Sequence, residues 1–119
     1  MSNFIQINPV LPSQDIQHDV HWYEKYTGFE LAFGNDKYVG LKRDNLCLHL
    51  QWHANTEDDP LLGGSVIKIF VENIGPLVEE FVERGTIKRE KLRMYTPWGT
   101  HEFGFYDLNK NSIFIVQDA

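Results

Sequence analysis

Two glycines, Gly28 and Gly85, each close an amphipathic stretch, and the segments around them follow the same order twice. Ahead of Gly28, Ile16, Val20, Tyr23 and Thr27 recur at helical spacing behind Asp15, whose side chain suits a helix N-cap. Ahead of Gly85, Leu77, Val78, Phe81 and Val82 form the equivalent stripe, opened by Asn73 and Pro76. Glycine readily takes the left-handed conformation that ends many helices. A strand precedes each helix: Phe4 to Leu11 in the first half and Ser65 to Val71 in the second. Pro9 restricts the first of these to an edge or a strand end. Three short strands follow each helix. In the first half they are Phe29 to Phe33, Lys37 to Leu41 and Leu46 to Gln51; in the second, Ile87 to Leu92, His101 to Tyr106 and Ser112 to Val116. From Asp15 to Glu72 the repeat is about 57 residues. A ferredoxin-like sandwich also alternates strands with helices, but three strands after each helix fit paired modules better.

The expected fold is therefore α+β, two βαβββ modules forming curved mixed sheets around a cavity. A single domain spans 1–119, with module one at 4–51, a linker at 52–64 and module two at 65–117. The 119 residues are 42% hydrophobic, enough for a core without staples. Cys47 is the only cysteine, which excludes an intramolecular disulfide and a cysteine-rich zinc fold and favours a reducing, cytoplasmic setting. Eleven Lys+Arg against 17 Asp+Glu leave a net charge of −6, which repels phosphate backbones. The densest basic run, Lys88-Arg89-Glu90-Lys91 with Arg93, is of mixed sign and reads as a solvated segment. No apolar run approaches the ~20 residues of a membrane span, and Met1-Ser2-Asn3-Phe4 does not read as the start of a signal peptide. Nucleic acid and membrane are not the expected partners.

Alternation sorts the strand residues onto two faces. Leu46, Leu48 and Leu50 share one face, with Cys47, His49 and Gln51 on the other. Ile67, Ile69 and Val71 oppose Val66, Lys68 and Phe70. Ile113 and Ile115 read as core, leaving Ser112, Phe114 and Val116 opposite. The second faces mix large apolar residues with hydrogen-bonding ones, as the wall of a ligand cavity would. His49 is the histidine most embedded in a strand. His18 and His21 lie on one helix face without an H-E-x-x-H pattern, and His53 falls in an acidic loop. His101 and Glu102 adjoin Trp98 and Gly99 at the head of a strand. Cys47 has no partner base in sequence, and Gly63-Gly64-Ser65 lacks the spacing of a phosphate loop. These residues describe a pocketed domain and do not demand an enzyme.

Several blocks in order carry a resemblance: Asn8-Pro9-Val10-Leu11-Pro12, Trp22-Tyr23-Glu24-Lys25, Gly28-Phe29-Glu30-Leu31, Leu46-Cys47-Leu48-His49-Leu50, Phe70-Val71-Glu72-Asn73-Ile74 and Pro97-Trp98-Gly99-Thr100-His101-Glu102-Phe103. With the turn Asp107-Leu108-Asn109-Lys110-Asn111, they make the chain resemble the glyoxalase, bleomycin-resistance and extradiol-dioxygenase superfamily over nearly its whole length. That turn departs from the family's pattern, with Leu108 for proline and Lys110 for glycine. The resemblance places the four metal-ligand positions of the family's enzymes at Asn8, His49, Val66 and Phe114. Only His49 can ligate effectively, and a catalytic ion normally needs about three protein ligands. The resemblance thus points to the metal-free, bleomycin-resistance-like branch: no metal, no cofactor, no catalytic residue, and sequestration of a small molecule in a groove completed by a homodimer. Its expected ligand-binding residues are Tyr38, His49, Phe70, Trp98, His101, Glu102 and Phe114, and the net charge favours a cationic guest. The alternatives are a metal-independent lyase or isomerase of the same fold, and a fold kept for assembly or protein interaction.

Overall fold

The computed structural model describes residues 3–119, so Met1 and Ser2, the start of the expected domain, lie outside the described residues. The elements run β1 (Val10–Ser13), α1 (Ile16–Thr27), β2 (Glu30–Gly34), β3 (Tyr38–Arg43), β4 (Leu46–Trp52), β5 (Val66–Phe70), α2 (Ile74–Glu83), a 3-10 turn (Arg89–Lys91), β6 (Thr100–Tyr106) and β7 (Ser112–Asp118). They form two mixed sheets, β1-β4-β3-β2 and β5-β7-β6. In each, the strand ahead of the helix lies parallel to the last strand of its half, β1 to β4 and β5 to β7. The α+β class is as the sequence indicates, and the order of elements repeats with one strand fewer in the second half.

Local chemistry accounts for the element ends. Asp15 accepts a hydrogen bond from the His18 amide at 3.2 Å and caps α1, which closes on Gly28 at φ 75°. Asn73 accepts from the Gly75 amide and caps α2, and Gly85 follows that helix at φ 80°. All four residues of the expected α1 stripe are buried; on α2, Ile74, Val78 and Phe81 are buried, while Leu77 and Val82 are half-buried.

Three local expectations are corrected. The first strand begins at Val10, not Phe4. The Pro9 carbonyl accepts the His49 amide at 2.9 Å and starts the ladder, whereas Ile5 and Ile7 stand more than 90% exposed. The Ile87 to Leu92 segment is not a strand. After Ile87 it winds into the 3-10 turn, and only Arg93 reaches β6, exchanging two backbone hydrogen bonds with Glu102. The second sheet therefore has three strands. Val116, placed on the open face by alternation, is fully buried in the ladder beside Glu102.

The halves are joined by side chains far apart in sequence. Arg43, at the end of β3, pairs through both terminal nitrogens with Glu80 of α2 at 2.6 and 2.7 Å and donates to the Thr27 carbonyl. Arg84 bonds Glu80 and the carbonyls of Glu24 and Lys25, so two guanidiniums serve the α1 C-terminus. A second, buried junction centres on two carboxylates. Asp107 in the β6–β7 turn accepts from Tyr23 Oη at 2.6 Å, from Asn111 Nδ2 and from the amides of Asn109 and Asn111. Asp19 on α1 accepts from Ser13 Oγ and Asn109 Nδ2 at 2.5 and 2.6 Å. Burial pushes the Asp19 carboxyl above its ordinary range despite those two donors. Burial, then the Asp107 charge, lifts the Tyr23 hydroxyl well above its own. Lys110, standing where the resembled turn carries glycine, adopts φ 63°.

Candidate functional site

On the face of the first sheet away from α1, the ladder places Val10, His49, Gly40 and Phe33 in one row. Glycine inside a strand marks a close approach, and here the approaching group is Phe33. A Cβ on Gly40 would lie 2.1 Å from the Phe33 ring, so the glycine lets that ring lie against the backbone. Phe33 then meets His49 edge to face at 5.4 Å, and Tyr38 meets it edge to face at 5.3 Å. Tyr38 Oη and His49 Nδ1 are 2.7 Å apart. That bond orients the imidazole, and Nε2 has no partner among the described residues. The result is a half-buried imidazole in contact with two aromatic rings, with one nitrogen available to a guest.

The second sheet repeats one device. Phe114 lies over Gly104, where a Cβ would come within 2.6 Å of its ring. Phe70 stands on the same open face, opposite Val116. Glu102 is buried and held within its own loop, accepting from Thr100 Oγ1 at 2.8 Å and Trp98 Nε1 at 3.2 Å. The Arg93 guanidinium covers the Trp98 ring at 5.1 Å. His101 points to the opposite face, toward α2: its Nδ1 accepts the Tyr95 amide at 2.9 Å and its ring packs edge-on against Tyr95 at 4.4 Å. Of the seven residues expected from sequence, the structure thus pairs Tyr38 with His49 and Trp98 with Glu102. No hydrogen bond or ring contact among the described residues joins the two pairs. Alternation alone did not bring in Phe33; the signal that could have is Gly40 inside a strand.

The residues at the family's metal positions do not fit an ion. Asn8 lies in the segment before β1, Val66 is exposed, Phe114 covers Gly104, and the Nδ1 of His49 is engaged by Tyr38. No group of three or more His, Cys, Asp or Glu side chains suited to a metal occurs among the described residues. No helix among them is long and apolar enough to cross a membrane.

A bleomycin-binding protein solved with bleomycin superposes on the chain with a TM-score of 0.77, at 20% identity over 98% of this chain and 100% of its own. The fold is that of the glyoxalase and bleomycin-resistance superfamily. A bleomycin-binding protein from bleomycin-producing Streptomyces verticillus, complexed with copper(II)-bleomycin, gives a TM-score of 0.76 at 21% identity, covering both chains fully. A lactoylglutathione lyase from Agrobacterium tumefaciens gives 0.71 at 17% identity, over 98% of this chain and 96% of its own. Binding proteins and an enzyme share the fold, so function has to be argued from the site. No family model and no curated protein matches the sequence.

Proposed function

We propose that the protein binds and sequesters a small molecule on the open faces of its sheets, without catalysis and without a metal. The observation that carries this reading is the His49 imidazole, oriented by Tyr38, flanked by Phe33 and left with one unpartnered nitrogen. Aromatic walls around a few fixed polar groups are the usual make-up of a small-molecule site. Tyr38, His49, Phe70, Trp98, Glu102 and Phe114 are the candidate contacts. His101 acts through the Tyr95 loop, not by touching a guest. Likeness to bleomycin-binding proteins supports the reading at the level of fold, and the −6 charge draws cationic guests to the molecule as a whole.

The sequestering unit we propose is a cytoplasmic homodimer. The radius of gyration is 15.2 Å, where a compact chain of this length has about 13.5 Å. Accessible surface is 7850 Å², against about 6700 Å² for a monomer of this mass. Phe70, Val66 and the apolar side chains of residues 4–7 contribute to that excess, and a second copy would cover them. Cys47, a free thiol, suits a reducing compartment.

The Tyr38–His49 hydrogen bond also favours a second reading, a metal-independent lyase or isomerase using that pair as acid and base. Glu102 and His101 give it no support, since one is bound within its own loop and the other faces the helix. Phe33 and Phe114, filling the space over their glycines, favour in turn a role in assembly. A thermal-shift screen against small metabolites and glycopeptides, run on the parent, His49→Ala and Tyr38→Phe, separates the three. Sequestration expects a guest that raises the melting temperature, is recovered unchanged and loses its effect in His49→Ala. Turnover of the guest establishes the enzyme, and no guest at all leaves the assembly role.

A further inference from the structure

We infer that the cleft between the two halves, rather than the net charge, decides the guest, and that it takes an amphipathic anion: a carboxylate, sulfonate or phosphate monoester on an apolar body. The inference rests on the binding role proposed above and adds to it a second subsite with its ligand class: of the candidate contacts only Phe70 lines this cleft, and His49 does not. The cleft has a volume of about 470 Å³ and lies where the start of β4 faces β5, beside residues 6–9. Ile67, Ile69 and Phe70 give it an apolar wall, while Asn8 and Asn45 bring amide groups. Two cations, Lys42 and Lys68, line it, and no aspartate or glutamate does.

The state of those lysines is what distinguishes the cleft. Both are exposed, and neither is tied to an acid or a ring among the described residues, whereas the Lys25 and Lys37 ammoniums lie over the Tyr26 and Trp52 rings. Glu30 lies opposite Lys42 in the β2–β3 ladder but forms no ion pair with it. Lys68 lies opposite Phe114, on a strand whose other open-face residues are Val66 and Phe70. Glu30 is not paired with Lys42 and does not line the cleft, so an anion seated there meets two ammonium groups. Over a Debye length of about 8 Å at physiological salt, local charges outweigh the distant acidic surface. The amides then hydrogen-bond the anionic head while the apolar wall receives the body.

The test uses two probes with one body and opposite charge, 2-naphthalenesulfonate and 2-naphthylmethylammonium, titrated calorimetrically into the full chain at low salt. The sulfonate binds, with an affinity that falls as salt is added, and the ammonium binds at least tenfold more weakly. Lys42→Met and Lys68→Met each weaken the sulfonate by about tenfold, and Lys42→Arg and Lys68→Arg restore most of it. Both lysines are exposed, so unchanged melting temperatures show that the variants fold. Equal or tighter binding of the ammonium overturns the inference, as does full sulfonate affinity in the double methionine variant. If neither probe binds while the screen above yields a guest lost in His49→Ala, the anion cleft is refuted and sequestration stands. If probes and screen both yield nothing, both readings fall.

Discussion

Asp107 is the side chain through which the β6–β7 turn grips the first helix, and replacing it tests how the halves cohere. The carboxylate accepts four donors at 2.6 to 2.9 Å, and one of them, Tyr23 Oη, belongs to a residue 1% exposed. In Asp107→Ala the Tyr23 hydroxyl and the Asn111 side-chain amide, both of residues at most 1% exposed, lose their acceptor away from water. A bond to a charged group contributes about 1.5–3 kcal/mol, and a stranded buried donor costs about 1–3 kcal/mol more. Allowing for relaxation of the turn, Asp107→Ala should cost about 4 kcal/mol, a large share of the 5–15 kcal/mol typical of a domain. Tyr23→Phe alone keeps the ring and leaves Asp107 three donors, so it should cost about 1.5 kcal/mol, the low end for a bond to a charged group. Introduced into Asp107→Ala, the same change removes the stranded hydroxyl and should be neutral or stabilising. Urea unfolding of the four proteins gives the coupling directly. If Tyr23→Phe costs the same in both backgrounds, the hydrogen bond does not link the halves and the reasoning is wrong.

Two further outcomes follow from the structure. Gly40→Ala forces the Phe33 ring off the strand, so it should destabilise by about 2 kcal/mol and weaken any guest that depends on His49; a guest bound as in the parent would contradict the site. Glu80 is held below the ordinary 4.5 of its carboxyl, first by the Arg43 hydrogen bonds and then by Arg84. Its stabilisation is therefore present above about pH 4.5 and lost as pH falls through the lowered value. Glu80→Gln should lose about 1–2 kcal/mol at pH 7 and converge on the parent toward pH 3, whereas a gap unchanged by pH would refute the ion-pair account.

What depends on neighbours along the chain is legible in the amino-acid order. Helical spacing, Asp15 and Asn73 as caps and the glycines after the helices fixed where α1 and α2 lie, because those signals act within a turn or two. Alternation likewise separated Leu48 and Leu50 from His49. Tertiary structure decided what depends on a partner far along the chain. Phe4 to Pro9 has the composition of a strand, yet the ladder to β4 begins only at Pro9. Ile87 to Leu92 has strand residues as well, but backbone bonding to β6 starts only at Arg93. His101 and Glu102 are adjacent in sequence, yet successive strand residues face opposite ways, and the Tyr95 amide and the Trp98 indole each claim one of them. Asp19 and Asp107 carry no sequence signal that they meet at Asn109, 90 residues from Asp19. Lys42 and Lys68 came to one cleft in the same way: residues on different strands share a site only once the sheets have packed, and no local pattern encodes that distance.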